Sequence, residues 1–280
     1  MNLSDEIDHL FSRQQEQWPQ LKHAISQRNQ IRERVFTWGN DFEVIVQYNP
    51  ARIVSTGAGI DQQTIERRPC FLCAENRPSP QEGIPFMGKY LILCNPYPIV
   101  ENHLTIPLHS HVPQRLRRKV GDMLSLAAQL PEYVVFYNGP RSGASAPDHY
   151  HLQAGRKSPV LLQGDHELRS CMMIESSNKE EVEELFEEVY LYLHHLQTEE
   201  DEPMMNVIAF TEQDRYKLHL FPRKAHRPRQ YFEEGNKQLL VSPGALDMAG
   251  LIITVREEDF NKISRQDVED IYAQVSLQII

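Results

Sequence analysis

Little in this chain points to a secreted scaffold or a membrane span. Its 280 residues include four cysteines, Cys70, Cys73, Cys94 and Cys171, too few for a disulfide framework to stand in for a core. No apolar run approaches the roughly 20 residues that cross a bilayer. The first thirty residues are polar with charges of both signs, unlike a signal peptide, so the expectation is a cytoplasmic protein with no membrane partner. Basic charge is also scarce. The 29 Lys and Arg against 39 Asp and Glu leave a net charge of -10, which argues against a broad nucleic-acid footprint while leaving room for a local phosphate site. Low-complexity tracts are absent. What is present, 40% hydrophobic and 24% charged residues, suits one large domain or two intimately packed halves.

Ile7, Leu10, Phe11, Trp18, Leu21 and Ile25 recur at helical spacing and predict an opening helix that packs. From Arg34 the period becomes that of short strands, with a hairpin of 34–37 and 42–46 around the turn Trp38-Gly39-Asn40-Asp41. Residues 68–88, dense in Pro, Cys, Asn and Gly, predict a loop. Strands are expected at 90–94, 103–106, 133–137, 206–210, 216–221 and 251–255, and helices over 112–130, after the cap Asn178, and from near Ser264. This order is α+β. It divides into an N-terminal helical segment (1–33) and two related halves, 34–165 and 166–280.

The chemistry concentrates in one stretch, Asn138-Gly139-Pro140-Arg141-Ser142-Gly143-Ala144-Ser145-Ala146-Pro147-Asp148-His149-Tyr150-His151-Leu152-Gln153. A loop of small residues leaves backbone N–H groups, those of Gly143 and Ser145 among them, outside any ladder and able to cradle phosphate oxygens. In an extended segment His149, His151 and Gln153 share one face, roughly 7 Å apart in sequence order. A neutral imidazole is a competent nucleophile near pH 7, and a carboxamide two residues on can donate to a phosphate oxygen as charge develops. The plain alternative is a pair of structural histidines on a strand. The loop in front and the glutamine behind favour the nucleophile.

This segment resembles the H-x-H-x-Q signature of the transferase branch of the histidine triad superfamily, which includes galactose-1-phosphate uridylyltransferase, diadenosine tetraphosphate phosphorylase and GDP-hexose phosphorylases. The resemblance implies that His151 is the nucleophile, that Gln153 binds the phosphate, and that Asn138 corresponds to the asparagine opening the uridylyltransferase loop. Hydrolytic members carry another histidine where Gln153 stands, so glutamine favours transfer or phosphorolysis. Asn102–Pro107 with Val112–Arg115, and Ser242–Gly250 with Arg256–Phe260, are similar to segments of the GDP-hexose phosphorylases. The implied fold is a histidine-triad-like antiparallel sheet with flanking helices in two pseudo-repeated halves, the second degenerate.

Cys70-Phe71-Leu72-Cys73 has the spacing with which two thiolates bind one tetrahedral zinc. Two reduced loop cysteines are the other reading, and a redox pair would need a βαβ setting that is missing. By the resemblance, His149 and one of His103, His109 and His111 complete the site. His111 is preferred because it lies just past a strand end, and the zinc is expected to be structural. Phosphate contacts are expected from Arg52, at a strand end, and from Lys217 and His219, which share a face in the basic stretch 215–229. The uridylyltransferases carry a second H-x-H pair in the corresponding half, with Lys217 here replacing its first histidine, so no second metal is expected. The function expected is nucleotidyl transfer or phosphorolysis on a nucleoside diphosphate sugar through a nucleotidyl-histidine. The alternatives are phosphorolysis of diadenosine polyphosphates and a non-catalytic nucleotide sensor. Expected partners are a nucleotide or nucleotide sugar and a phosphate-bearing acceptor, with no nucleic acid and no membrane, and a homodimer is compatible with the sequence.

Overall fold

Asn2 starts the first helix. Its Oδ1 accepts from the Asp5 N–H at 2.9 Å while Asp5 Oδ2 accepts from the Asn2 N–H at 3.3 Å, a capping box that satisfies two donors the helix leaves open. Helix α1 (Leu3–Gln17) stops at Trp18 because Pro19 brings no N–H, and Pro19 instead begins α2 (Pro19–Ser26). The single opening helix expected from the period is therefore two, both packed through Ile7, Leu10, Phe11 and Leu21. The computed structural model describes residues 2–39, 41–53 and 62–279. Strands β1 (Arg32–Trp38) and β2 (Phe42–Tyr48) form the expected hairpin, with Trp38 opposite Phe42 and Gly39 at positive φ; Asn40 of its turn lies outside the described residues.

After α3 (Gln62–Arg67) the main sheet begins with β3 (Gly83–Phe86), β4 (Tyr90–Cys94) and β5 (Leu104–Pro107). It continues after α4 (Val120–Gln129) with β6 (Tyr133–Asn138), β7 (His151–Arg156) and β8 (Met172–Ser176), and after α5 (Lys179–Leu196) with β9 (Met205–Glu212) and β10 (Arg215–Pro222). Among the described residues this sheet has eight strands in the order β3-β4-β5-β7-β6-β9-β10-β8, and every adjacent pair is antiparallel. The unit strand, helix, strand, strand occurs twice. It gives the order β5-β7-β6 in one copy and β8-β10-β9 in the other, joined where Asn138 of β6 faces Asn206 of β9. The α+β fold of two related antiparallel halves is thus observed.

Strand alternation sorts the side chains. Val135, Tyr137, Leu152, Ala154, Val207 and Leu220 face α4 and α5, while Val134, Phe136, Ile208 and Phe210 face the opposite way. That second face meets a small sheet, which the sequence did not predict: β11 (Leu251–Thr254), reached through α6 (Ala245–Ala249), pairs in parallel with β2. The hairpin and the C-terminal helices α7 (Glu257–Lys262) and α8 (Arg265–Val275) thereby close over part of the sheet. No helix of the described residues is long and apolar enough to cross a membrane.

Two further expectations change. The loop 68–88 contains edge strand β3, covered by α1 through Gln14, whose Nε2 donates to the Pro80 carbonyl at 2.8 Å and whose Oε1 accepts from the Glu82 N–H at 3.1 Å. The helix expected over 112–130 begins only at Val120, because residues 112–119 bond elsewhere: Tyr150 N–H donates to the Val112 carbonyl at 2.7 Å and Gln114 N–H to the Pro147 carbonyl at 3.0 Å.

Candidate active site

His151 opens β7, and its backbone is clamped before its side chain can act. The wholly buried Gln114 accepts from the His151 N–H at 2.8 Å and donates through Nε2 to the carbonyls of Asn138 (2.9 Å) and His151 (3.0 Å). His151 Nδ1 lies 2.8 Å from the His149 carbonyl. A carbonyl can only accept, so the neutral ring carries its proton on Nδ1 and keeps a lone pair on Nε2. Burial lowers the pKa of His151 to about 4, against the opposing pull of the bond to the His149 carbonyl. At neutral pH the ring is therefore uncharged.

Gln153 shares the face of His151. His149 does not: it sits in the turn before the strand, where its N–H donates to the Ala146 carbonyl at 3.2 Å, so the expected row of two imidazoles and a carboxamide is reduced to His151 and Gln153. Both line a cavity of about 530 Å³ on the face of the sheet away from α4 and α5. Its lining includes the apolar Trp18, Leu93, Tyr97 and Ile99 together with Asn138, Gly143, Ser145, Arg52 and the segment Gly244–Asp247. Gly143, at φ +98, is needed there, since a Cβ would stand 2.9 Å from the Gly244 Cα.

Arg52 donates to the Tyr97 carbonyl at 2.9 Å, and although burial lowers its pKa to about 10 it stays cationic at neutral pH. Asn138 Oδ1 accepts from Asn206 Nδ2 (2.9 Å) and the Ala245 N–H (2.7 Å). The buried Asp247 accepts from the N–H groups of Gly244 and Ile253, both at 2.9 Å, and burial raises its pKa to about 6.

Cys70, Cys73, His111 and His149 come together, their ligand atoms all within 4.8 Å of one another. His149 Nδ1 lies 3.4 Å from Cys70 Sγ and 3.6 Å from Cys73 Sγ, and His111 Nδ1 lies 3.1 Å from Cys73 Sγ. A tetrahedral zinc with ordinary bond lengths has sulfur–nitrogen edges of about 3.5 Å, so the group fits such an ion. His149 Nε2 donates to the Leu108 carbonyl at 2.8 Å, which leaves Nδ1 as the ligand atom. The cluster is tied to the loop before His151, because Arg68 Nη2 donates to Asp148 Oδ1 at 2.8 Å and to the Ser145 carbonyl at 3.3 Å.

Lys217 and His219 are not brought to this site. Lys217 pairs with Glu212 (2.6 Å) and Glu175 (3.8 Å), and His219 packs edge-on against Phe210, two strands beyond β7's neighbour β6. Their share in phosphate binding is withdrawn, since neither lines the cavity. Sequence reasoning gives Gln114 and Asp247 no role of their own, since both enter it only within similar segments, Gln114 also inside the expected helix. It weighed His103 only as a metal ligand, whereas the ring is buried against Gln153, with Nε2 2.9 Å from Gln153 Oε1.

Residues 10–156, a little over half of the chain, match the family model described as a domain of unknown function (DUF4922). Residues 168–279 match a model described as a GDPGP1-like, C-terminal domain. No curated protein matches the chain. Among solved structures, yeast Ap4A phosphorylase Apa2 is similar with a TM-score of 0.61 at 16% identity, over 92% of this chain and 96% of that one. Its complex with AMP gives 0.63 at 17% identity over 99% and 97%, and its complex with Ap4A 0.58 at 15% over 92% and 96%. At these identities the likeness is one of fold.

Proposed function

The chain belongs to the DUF4922 family, and from that premise, joined to the geometry at His151, we propose a phosphorylase-type nucleotidyltransferase that acts on a nucleoside diphosphate sugar. Its fold and its GDPGP1-like C-terminal part support a place in the histidine-triad-like transferase branch. The observation that carries the reading is the free Nε2 lone pair of a neutral His151, held by Gln114 and the His149 carbonyl beside Gln153 in a cavity large enough for a nucleotide.

His151 Nε2 attacks the α-phosphorus. A nitrogen–phosphorus bond forms as the bond to the departing sugar phosphate breaks, and that group leaves with the electron pair as a phosphate monoester needing no proton. Gln153, Asn138 and the N–H groups of Gly143 and Ser145 donate to the oxygens that gain charge, and Arg52 adds a positive field. Inorganic phosphate or another phosphorylated acceptor then attacks the same phosphorus and restores neutral His151. Cys70, Cys73, His111 and His149 would hold a zinc ion, whose contribution is to fix the loop before His151. Such an enzyme belongs in the cytoplasm.

Incubation with nucleoside diphosphate sugars, and in parallel Ap4A, with and without phosphate tests this. An acid-labile nucleotidyl adduct on His151 is expected without phosphate, and a nucleoside diphosphate product with it. Turnover of Ap4A alone would favour diadenosine polyphosphate phosphorolysis, and binding with no adduct would favour a sensor.

A further inference from the structure

Gln153 serves an anion only when its amide hydrogens face it. Turned the other way, the carboxamide presents a lone pair to the phosphate. The side chain has no strong preference of its own between the two senses, so its neighbour decides. That neighbour is His103, immediately before β5, wholly buried and beside the Phe136 ring. The Ile99 N–H donates to His103 Nδ1 at 3.1 Å, which places the proton of the neutral ring on Nε2. Nε2 in turn lies 2.9 Å from Gln153 Oε1. The reversed carboxamide would set two donors against each other.

We propose that His103 is a positioning residue for nucleotidyl transfer: its tautomer, set by the Ile99 N–H, holds Gln153 Oε1 and so turns the Gln153 amide hydrogens toward the phosphate at His151. The inference rests on the reading of the cavity as a nucleotidyl-transfer site. Burial keeps His103 uncharged, lowering its pKa to about 3 with the Arg52 charge acting in the same direction, so the relay persists across the neutral range. The sense of the catalytic amide is thus written in the 99–103 turn.

Two measurements test it. Long-range proton–nitrogen spectra of protein labelled at histidine read the tautomer without turnover. His103 is expected in the Nε2–H form from pH 5 to 8, and an Nδ1–H form or a titration within that range overturns the proposal. A double-mutant cycle then asks whether His103 acts through Gln153. His103→Phe keeps the ring and removes both nitrogens, and should slow nucleotidylation of His151 about 100-fold with little change in KM. On a Gln153→Ala background it should cost less than about twofold. Equal losses on both backgrounds would mark a packing role and overturn the proposal.

His103→Gln, which can accept from Ile99 and donate to Gln153, should restore most of the rate. His103→Asn, too short for both partners, runs the same cycle should the phenylalanine variant not fold. The cycle is repeated on the affinity for AMP and GMP, with adenosine and guanosine as controls. Should the wild-type protein bind these nucleotides and form no adduct, the transfer reading fails while the tautomer and the binding cycle still decide the role of His103.

Discussion

Strands β7 and β10 hold corresponding places in the two copies of the strand, helix, strand, strand unit, yet of the two only β7 lines the 530 Å³ cavity. The first difference lies in what precedes each strand. Residues 139–150 separate β6 from β7 and supply the small-residue loop, whereas β9 and β10 are joined by Gln213 and Asp214 alone, both at positive φ. That is the geometry of a tight hairpin, with no loop of small residues to shape a cradle ahead of the strand. The second difference lies in what covers the face. Over the second half the Arg169 guanidinium is sandwiched 4.9 Å from the Phe42 ring and 4.8 Å from the Phe221 ring, and Phe42 stacks on His166. The small sheet fills there the space that stays open over β7. A repeated fold thus supplies two equivalent platforms, and the loop and the covering layer decide which one borders the cavity.

The largest expected break between the halves is at the histidines. His151→Ala should lower turnover by about 10⁴-fold or more and eliminate the adduct, while His219→Ala should leave the half-reactions intact and lower stability by about 1–3 kcal/mol. Mass spectrometry of trapped protein and denaturant melts check both, and equal catalytic losses would contradict the division. Next in size is the carboxamide. Gln153→Ala should raise the barrier of the first half-reaction by about 3–4 kcal/mol, and Gln153→Glu should be slower still because it sets a negative charge beside the phosphate. Equal rates for the two variants, measured by rapid quench, would contradict the assigned role.

The cysteines separate the halves in another way. Cys70→Ser or Cys73→Ser should remove about one bound zinc per chain and lower Tm, since a metal bound only in the folded state stabilises it. Cys171→Ser should leave metal content unchanged, and elemental analysis with calorimetry distinguishes these outcomes. Among the candidate ligands, His111→Ala should lose the metal and His109→Ala keep it.

Acid should treat the two halves alike. Burial lowers the pKa of both His151 and His219 to about 4 from the ordinary 6.5. The unfolded chain therefore binds a proton at each that the folded chain refuses, and their contribution to stability is complete above pH 6.5 and lost as pH falls toward 4. Each contributes a slope of about 1.4 kcal/mol per pH unit in that window. Asp247, raised to about 6, runs the other way and loses its contribution as pH rises from the ordinary carboxylate range through 6. Urea melts of His219→Gln between pH 4.5 and 6.5 should show a shallower slope than wild type, and an unchanged slope would contradict the account. The smallest effect is expected at Lys217, whose partners are Glu212 and Glu175. Lys217→Met should change either half-reaction by less than about twofold, and a selective loss of phosphate use would return the residue to the site.

How much could be read beforehand follows from distance along the chain. The cap at Asn178, the start at Ser264 and the hairpin around Gly39 depend on a few neighbouring residues, and each stands in the structure. The break at Pro19 was equally local and was overlooked in favour of the apolar period. Helix α4 starts late because Gln114 bonds residues 24 and 37 positions away, a demand that no local propensity registers. Lys217 and His219 misled because alternation shows that two side chains share a face and says nothing about what covers that face.

The sequence by itself determined the chemistry at hand: an imidazole and a carboxamide two residues apart behind a loop of small residues, and two thiolates at metal-binding spacing, all set by covalent order and short-range geometry. Tertiary structure decided the rest. It gathered His111 with Cys70, Cys73 and His149, turned His149 out of the row with His151 and Gln153, brought Asp247 to the cavity wall, and set His103 against Gln153 across 50 positions. These pairings depend on strand register and on which apolar faces close on each other, quantities that exist only once distant segments are packed together.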